Sequence, residues 1–205
     1  MMEIVFATNN EDKMYEIRKI LKGLTIGGEE VRIFSMREKG IDADIVEDGE
    51  TFVENAAIKA KAVAGMLPGT LVIADDSGLE VDFINREPGI YSSRYMGKDT
   101  SYREKNRNII ARLRDAEGEK RSARFVCAAV AVLPDGRQLS TQQTLEGRIA
   151  HEERGKNGFG FDPIFLIPPY EHTTAELTDE EKNAISHRGK AMRMIRKLIA
   201  EAYTS

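Results

Sequence analysis

Cysteine and long apolar runs are scarce in this chain of 205 residues. The single cysteine, Cys127, excludes an internal disulfide framework and a zinc site built from cysteines. No stretch approaches the roughly 18 uninterrupted apolar residues of a membrane-spanning helix. Apolar residues still make up 41% of the chain and charged residues 31%, a balance typical of a folded globular protein rather than a disordered one.

An excess of positive charge is also missing. Lys and Arg number 30 against 34 Asp and Glu, which gives a net charge of −4. Proteins that coat a nucleic-acid backbone usually carry the opposite balance, so no nucleic-acid partner is expected. The opening residues, MMEIVFATNN, lack the basic and long apolar segments of a secretory signal. Together these absences predict a cytoplasmic protein with no membrane partner.

The spacing of apolar residues predicts strands and helices that mix without strict alternation. Five strands are predicted, over residues 4–7, 31–34, 71–74, 125–133 and 139–145, and those over 4–7 and 71–74 are expected to be buried. Helices are predicted after Asn10, from three capping boxes at Thr51, Ser101 and Thr178, and over the apolar stripe that begins at Ala191. The helix that starts at Thr51 is expected to stop at Gly65. This pattern favours a mixed sheet with helices around it.

The segment Thr8-Asn9-Asn10-Glu11-Asp12-Lys13 follows the first predicted strand and opens a helix. Free N–H groups and the positive end of the dipole at a helix N-terminus suit a phosphate, and Lys13 adds a point charge. The glycines and the Gly-Lys-Ser/Thr ending of a P-loop are missing. Taken alone, the segment fits ordinary helix capping with a solvated lysine better than a phosphate site.

Acidic residues form the next two candidate segments. Glu47 lies ahead of the helix at Thr51, where carboxylates stabilise the helix dipole and gain another role only beside a metal. Asp75 and Asp76 follow an apolar strand directly, at the edge where α/β sheets place their sites. Adjacent carboxylates repel, and Mg²⁺ held with substrate phosphates relieves that repulsion. An Asp-Asp-Ser-Gly turn without a ligand explains the same residues equally well.

A glycine-rich segment, residues 154–163, surrounds two aromatic residues with three glycines. Glycine lets a backbone approach a ligand closely, and an aromatic ring offers a stacking face for a base. The alternative is a β-bulge whose phenylalanines turn into the core. Downstream, Lys182, His187 and Arg188 are predicted within two helical turns, as phosphate-neutralising groups or as a solvated face.

Taken together, these segments match one ligand, a nucleoside triphosphate bound with Mg²⁺. Carboxylates hold the metal, cations hold the phosphates, and the glycine-rich segment holds the base. Other reactive residues are discounted: Cys127 lies in an apolar strand as a buried, inert thiol, and His151 and His172 lack partners at metal-ligand spacing. No Gly-x-Ser-x-Gly motif supports a serine hydrolase.

At this point the motifs match a known family in order and over nearly the whole chain. The sequence resembles the inosine triphosphate pyrophosphatase-like family through these segments: FATNNEDK, EDGETFVENAAIKA, ADDSGLEVDFINREPGIYSSRY, RFVCAAVAVLPDG, GRIAHEERGKNGFGFDPIF and AELTDEEKNAISHRGKAM. The resemblance implies a single α/β domain over residues 1–205, elongated and bilobed, with a long central mixed sheet flanked by helices and a cleft between the lobes. It also implies a homodimer that cleaves ITP, dITP and XTP to the nucleoside monophosphate and pyrophosphate, with Mg²⁺ or, as a substitute, Mn²⁺.

The resemblance assigns roles to residues of this chain. Asp76 is the expected general base, and Glu47, Asp75 and Asp76 are the expected metal ligands. The expected substrate contacts are Thr8, Asn9, Asn10, Glu11, Asp12, Lys13, Ser77, Phe159, Gly160, Phe161, Asp162, Lys182, His187 and Arg188. Asn9 departs from many family members, which carry glycine or another residue there.

Two other functions remain open at this stage. A Maf-like pyrophosphatase acting on pyrimidine or modified nucleotides is related in fold and would use similar chemistry. A nucleotide-sensing module without catalysis belongs to a different class, and the acidic charge balance argues against a version that binds DNA.

Overall fold

The structure, a computed structural model, describes residues 2–23, 25–168 and 170–204, which form a mixed α/β fold. The strands are β1 (Met2–Phe6), β2 (Thr25–Ile26), β3 (Glu29–Ser35), β4 (Leu71–Val81), β5 (Glu87–Pro88), β6 (Ser122–Val132), β7 (Gln138–Ile149), β8 (Phe165–Ile167) and β9 (His172–Thr173). The helices are α1 (Glu11–Ile20), α2 (Phe52–Met66), α3 (Tyr102–Arg112), α4 (Asp179–Ile185) and α5 (His187–Thr204).

The strands form a mixed sheet, as the sequence predicted. Across the described residues their order is β2-β3-β1-β4-β6-β7-β8-β9, with β5 paired to β4. Strand β1 pairs in parallel with β3 and with β4, so that Ile4 lies opposite both Ile33 and Leu71. The β2–β3, β4–β5, β7–β8 and β8–β9 pairs are antiparallel. No helix in the described part of the chain combines the length and apolarity needed to cross a membrane.

Short polar side chains start the helices where the sequence predicted. Asn10 caps α1 by accepting a hydrogen bond from the Lys13 amide. The capping boxes at Thr51, Ser101 and Thr178 all form, each with its Glu three residues later. Each box satisfies donors that the first helical turn leaves without partners. Helix α2 ends at Met66, one residue beyond the predicted stop.

The described residues fall into two compact units, each with its own apolar core. Unit 1 comprises Met1–Asp76, Cys127–Gln143 and Arg188–Ser205, and unit 2 comprises Ser77–Val126 and Thr144–His187. In unit 1, Ile17 of α1 and Ile195 of α5 pack with Ile73 of β4. In unit 2, Ile109 of α3 packs with Leu79 and Phe165. The expectation of one domain with two lobes and a cleft stays a prediction.

Strand β4 continues where a loop was predicted. The sequence placed the end of this strand at Ala74 and a loop at Asp75-Asp76-Ser77-Gly78, and that prediction was wrong because β4 runs to Val81. Leu79 and Val81 are fully buried, so the apolar pattern resumes after the polar residues. Asp75 and Asp76 are therefore buried strand residues, and their charges need partners inside the protein.

The helix predicted to carry Lys182, His187 and Arg188 is interrupted. Helix α4 ends at Ile185, and Ser186 takes an extended conformation with φ −63° and ψ 154° before α5 begins. Lys182 thus lies on a different helix from His187 and Arg188, and the prediction of one cationic helical face was wrong.

Gly147 on β7 tests how tightly unit 2 is packed. A Cβ at this position would lie 2.5 Å from the Leu166 carbonyl oxygen and 2.6 Å from the Phe165 ring. Gly147→Ala is expected to lower the free energy of unfolding by about 1–3 kcal/mol, because neither neighbour is a flexible chain end. Chemical denaturation measures the change.

Gly65 near the end of α2 supplies the matched control, since a Cβ there meets nothing within 4 Å. Gly65→Ala is expected to raise stability by about 0.5–1 kcal/mol, because alanine favours the helix. Equal stabilities for the two variants would contradict the packing described for Gly147.

Candidate functional site

Residues 8–13 form a polar turn that leads from β1 into α1 in unit 1. The Oγ1 atom of Thr8 accepts a hydrogen bond from the Asn10 amide at 3.1 Å, and Asn10 Oδ1 accepts from the Lys13 amide at 2.9 Å. Asn9 Oδ1 accepts from the Arg37 amide at 3.2 Å, which ties the turn to the segment after β3. Asn9, Asn10, Glu11 and Asp12 are exposed, so the predicted capping is confirmed and the start of α1 stays open to solvent.

Lys13 does not extend into solvent. Its Nζ atom lies 3.1 Å from Asp75 Oδ2, and only 16% of its side chain is exposed. The prediction that Lys13 is solvated was therefore wrong, because its side chain pairs with Asp75 of β4.

Asp75 is fully buried in unit 1 among cationic partners. Besides Lys13, the Arg188 guanidinium donates to Asp75 Oδ2 with Nε 3.4 Å away, and the Cys127 thiol lies 3.9 Å away. Burial by itself would raise the pKa of this carboxyl, but the charges of Lys13, Arg188 and Lys59 outweigh it and hold the pKa well below its usual range. These cations thus favour the charged form of Asp75.

Cys127 is inert, as the sequence predicted. Burial, followed by the charge of Asp75, raises the pKa of the thiol to about 12. A thiol in that state is neither a nucleophile nor a metal ligand at neutral pH.

Arg188 is buried rather than part of a solvated face, so that alternative was wrong. Only 3% of its side chain is exposed, and its guanidinium pairs with both Glu16 and Asp75. Burial lowers the pKa of an arginine, but the two carboxylates raise it above its ordinary value. Arg188 therefore links α1, β4 and α5 within unit 1, and its expected contact with substrate stays a prediction.

Asp76 belongs to a second group of charges in unit 1, together with Glu47 and Lys59. The Lys59 ammonium lies 2.9 Å from Glu47 Oε2 and 3.7 Å from Asp76 Oδ1. Burial raises the pKa of Asp76; the Lys59 and Lys13 charges offset part of this effect, and the Glu47 charge adds to it. The pKa of Lys59 is raised because the three nearby carboxylates, Asp76 first, outweigh its burial.

Strand alternation separates the two aspartates. Successive side chains of a strand point to opposite faces of the sheet. Leu71 and Ile73 pack in the core with α1 and α5, and Asp75 continues that face toward Lys13 and Arg188. Asp76 takes the other face, toward Lys59 of α2. The two carboxylates therefore lie on opposite faces of the sheet, and Asp76 rather than Asp75 shares Lys59 with Glu47. The expected role of Glu47, Asp75 and Asp76 as metal ligands stays a prediction.

The pair formed by Glu47 and Asp76 fits a divalent cation. The Oδ2 atom of Asp76 is buried and accepts no hydrogen bond from any residue that the structure describes. A buried anionic oxygen without a donor is costly, and a cation would relieve that cost. Among the described residues no group of three or more His, Cys, Asp or Glu side chains is gathered for a metal. Two carboxylates suit Mg²⁺, which keeps several waters and shares substrate phosphates.

The glycine-rich segment lies in unit 2, and two of its glycines are required by the protein itself. Gly155 has φ +83°, and a Cβ there would lie 2.3 Å from the Ala175 carbonyl group. At Gly158, with φ +70°, a Cβ would lie 2.2 Å from Asp162 Oδ2. The predicted close approach therefore occurs, but to neighbouring protein atoms.

The two phenylalanines of this segment differ in burial. Phe161 is buried and meets the Tyr102 ring edge to face, with ring centroids 5.3 Å apart. Phe159 is partly exposed, and the Lys182 ammonium lies 5.3 Å from its ring centroid. Phe161 thus turns into the core as the alternative expected, whereas the stacking role of the partly exposed Phe159 stays a prediction.

Asp162 and Lys182 form a buried ion pair that holds the glycine-rich segment. Asp162 Oδ2 also accepts from the Phe159 amide at 2.8 Å, and Oδ1 accepts from the Thr174 hydroxyl at 2.8 Å. Both charged side chains are at most 5% exposed, so for Lys182 the alternative of a solvated face was wrong. Their expected contacts with the base stay predictions.

The remaining predicted residues of unit 2 lie in different settings. Ser77 is half-buried on β4 directly after Asp76, and Gly160 is half-buried beside Tyr102. His187 is buried and stacks on Phe125 with ring centroids 4.7 Å apart. His151 and His172, which the sequence analysis discounted as metal ligands, are exposed.

Sequence reasoning missed Lys59 and Glu16, although a signal was present. Both are charged residues inside an apolar helical stripe. Lys59 follows Ala56 by three positions and precedes Val63 by four, and both of these are buried on α2. Glu16 is buried on α1 beside Ile17. A charged side chain in such a stripe needs a buried partner, which marks it for attention.

Comparison with known proteins gives a consistent result over almost the whole chain. Residues 4–198 match the Ham1 family. The dITP/XTP pyrophosphatase of Cutibacterium acnes is 45% identical over 197 residues, which cover 95% of each protein. That of Clostridium perfringens is 40% identical over 201 residues, 96% of each protein.

Solved structures agree with these sequence comparisons. A HAM1 protein from Coxiella burnetii is 41% identical and superimposes with a TM-score of 0.85, covering 98% of this chain and 100% of its own. The Ham1 protein of Staphylococcus aureus is 38% identical with a TM-score of 0.83, covering 98% of this chain and 99% of its own. With the fold, the buried carboxylates and these similarities in agreement, the chain belongs to the Ham1 family.

Proposed function

We propose that this chain hydrolyses dITP, ITP and XTP to the nucleoside monophosphate and pyrophosphate. The observation that carries the proposal is the pair of carboxylates, Glu47 and Asp76, around the buried Lys59, with one oxygen of Asp76 left without a donor. Full-length relatives at 40–45% identity are named dITP/XTP pyrophosphatases, which supports the same substrate class.

Residues 8–13 are proposed to hold the phosphates. The first-turn amides of α1 carry partial positive charge, and the exposed side chains at the turn leave them accessible. Lys13 brings a cation to the same turn, and its pairing with Asp75 fixes where that cation lies. Phosphate oxygens near Lys13 would share its charge, which stabilises the leaving pyrophosphate.

Glu47 and Asp76 are proposed to hold Mg²⁺, with Mn²⁺ as a substitute. When bound, the metal polarises phosphate oxygens and spreads the charge that develops at phosphorus. Lys59 balances the same two carboxylates, so the protein keeps them close together before a ligand arrives.

Asp76 is proposed to orient the attacking water and take its proton. Its unpaired Oδ2 atom is an acceptor that no described residue uses. An in-line water attack at the α-phosphorus breaks the bond to the bridging oxygen and releases pyrophosphate. Positioning and charge stabilisation suffice for this step, and no covalent intermediate is required.

The glycine-rich segment is proposed to frame the base. The partly exposed Phe159 ring offers a stacking face, and Asp162 fixes the backbone of Phe159 through its amide. A 6-oxo group, which inosine and xanthosine share, accepts hydrogen bonds. Donors arranged for that oxygen would be left unpaired by the 6-amino group of adenine. Lys182 is a candidate donor, because its ammonium lies 5.3 Å from the Phe159 ring centroid. We further propose a homodimer that acts on the cytoplasmic nucleotide pool.

Product identification tests the reaction type. With Mg²⁺ and dITP, ITP or XTP, the protein is expected to release one pyrophosphate per monophosphate formed, measured by anion-exchange chromatography. Release of single phosphate would contradict the proposal. Turnover of UTP, dTTP or their methylated forms in preference to the purine nucleotides would favour the Maf-like alternative instead.

Asp76→Asn tests the proposed base. The amide keeps the size of the side chain but no longer accepts the water proton, so kcat for dITP is expected to fall by about 10²–10⁴-fold. Circular dichroism and thermal unfolding are expected to show a folded protein.

The matched control is Asp99→Asn, which changes an exposed carboxylate and is expected to leave kcat unchanged. An Asp76→Asn enzyme with at least a tenth of the original kcat would rule out Asp76 as the base.

A further inference from the structure

Asn55 contacts the segment that carries Glu47, although it touches none of the proposed substrate-binding residues in any described contact. Its Oδ1 atom accepts a hydrogen bond from the Gly49 amide at 2.9 Å. Asn55 is fully buried on the first turns of α2, and Gly49 is half-buried. The contact joins α2 to a segment that has no helix or strand of its own between residues 41 and 51.

The position of Asn55 on α2 connects this contact to the carboxylate pair. Asn55 precedes Lys59 by four residues, so the two side chains lie on the same face of the helix. Lys59 pairs with Glu47, and Asn55 holds Gly49, two residues further along the chain. The same helix face thus fixes the acidic segment at two points, one through a side chain and one through the backbone.

The missing side chain of Gly49 lets the backbone of this segment lie close to α2. A Cβ at position 49 would lie 2.8 Å from Asn55 Oδ1, 3.1 Å from the Asn55 amide nitrogen and 2.7 Å from Glu54 Cβ. No left-handed backbone conformation requires a glycine here, so the close approach to α2 is the reason that the position lacks a side chain. The segment lies against the helix at backbone distance.

Asn55 also carries a cost that packing alone does not explain. Its Nδ2 atom is buried and has no hydrogen-bond partner among the described residues. A buried amide donor without an acceptor is destabilising, and an apolar side chain would avoid that cost. Of the two polar atoms in the Asn55 side chain, Oδ1 is the one that forms a hydrogen bond, which it accepts from the Gly49 amide.

We propose that Asn55 is a positioning residue that fixes Glu47 for divalent-metal binding by holding the backbone at Gly49. This inference deepens the proposed function, because it rests on Glu47 as a metal ligand. Groups that orient metal ligands from outside the coordination sphere typically contribute 10–100-fold to metal affinity. The capping box at Thr51 adds further contacts to the segment, since Glu54 Oε2 accepts from the amides of Glu50 and Thr51.

The test compares Asn55→Ala with Val63→Ala, a control that removes buried volume from the same helix eight residues further along the chain. Both variants are expected to lose stability through lost packing. Mn²⁺ affinity of the nucleotide-free protein, measured by electron paramagnetic resonance of free Mn²⁺, is expected to fall tenfold or more in Asn55→Ala and less than twofold in Val63→Ala. Exchange of the Gly49 amide hydrogen is expected to accelerate in Asn55→Ala alone.

Gly49→Ala, with Gly65→Ala as its control, decides the matter if Asn55→Ala does not fold. The added methyl group displaces the segment from α2, so the same tenfold loss of Mn²⁺ affinity is expected. Mn²⁺ affinity within twofold of the original protein in the deciding variant overturns the inference. An equal loss of Mn²⁺ affinity in the control for that variant also overturns the inference, and so does a failure of the original protein to bind Mn²⁺.

The Mn²⁺ measurement needs no substrate, so it separates this inference from the proposed function. If the original protein releases no pyrophosphate from any of the three nucleotides, the proposed function fails whatever the metal affinities are. Suppose instead that the original protein releases pyrophosphate while Asn55→Ala keeps the original Mn²⁺ affinity and needs the same Mg²⁺ concentration for half-maximal activity. In that case only the inference fails.

Discussion

Two consecutive buried carboxylates on one strand are the constraint on which the rest of unit 1 depends. Asp75 and Asp76 lie inside β4 on opposite faces, and a buried charge is tolerated only with partners. Lys13 of α1 and Arg188 of α5 form ion pairs with Asp75 on one face. Lys59 of α2 forms an ion pair with Asp76 on the other face. Three helices are therefore tied to the sheet by charge as well as by apolar packing.

This arrangement gives the two carboxylates different chemistry. Asp75 is surrounded by cations that keep it charged, and in return it fixes the position of Lys13 at the start of α1. Asp76 shares one lysine with Glu47 and keeps a buried oxygen without a donor. Two cations contact Asp75 directly and stabilise its charge inside the protein, whereas Asp76 shares one lysine with a second carboxylate, which favours Asp76 as the group that receives a ligand.

Much of the fold was predictable because its signals are local. The capping boxes at Thr51, Ser101 and Thr178 and the apolar spacing of α5 depend on neighbours within a few residues, and all were confirmed. The course of β4 was not predictable in the same way, because Asp-Asp-Ser-Gly is a typical turn sequence. Cations from distant parts of the chain allow it to remain a strand.

The site divides along the same line. The sequence identified three candidate segments by their residue types, namely residues 8–13, the segment of Glu47 and the segment of Asp76. Polar and acidic residues cluster there within a few positions, so a local pattern is enough to select them. The burial of Lys182 and Arg188 was not predictable from the sequence, since lysine and arginine in a helical sequence usually mark a solvated face. Lys59 and Glu16 depend on partners 12 and 172 residues away, a distance that no local pattern reports.

The two faces of β4 separate a structural role for Asp75 from the proposed metal-binding role of Asp76, and metal binding by paired variants tests this division most directly. Isothermal titration of Mn²⁺ into Asp75→Asn and Asp76→Asn, both without nucleotide, separates the two roles. Asp76→Asn is expected to stay folded and to lose Mn²⁺ affinity at least tenfold, while Asp75→Asn loses stability but stays within threefold of the original affinity. Loss of Mn²⁺ binding in Asp75→Asn with binding retained in Asp76→Asn would contradict the assignment of the two faces.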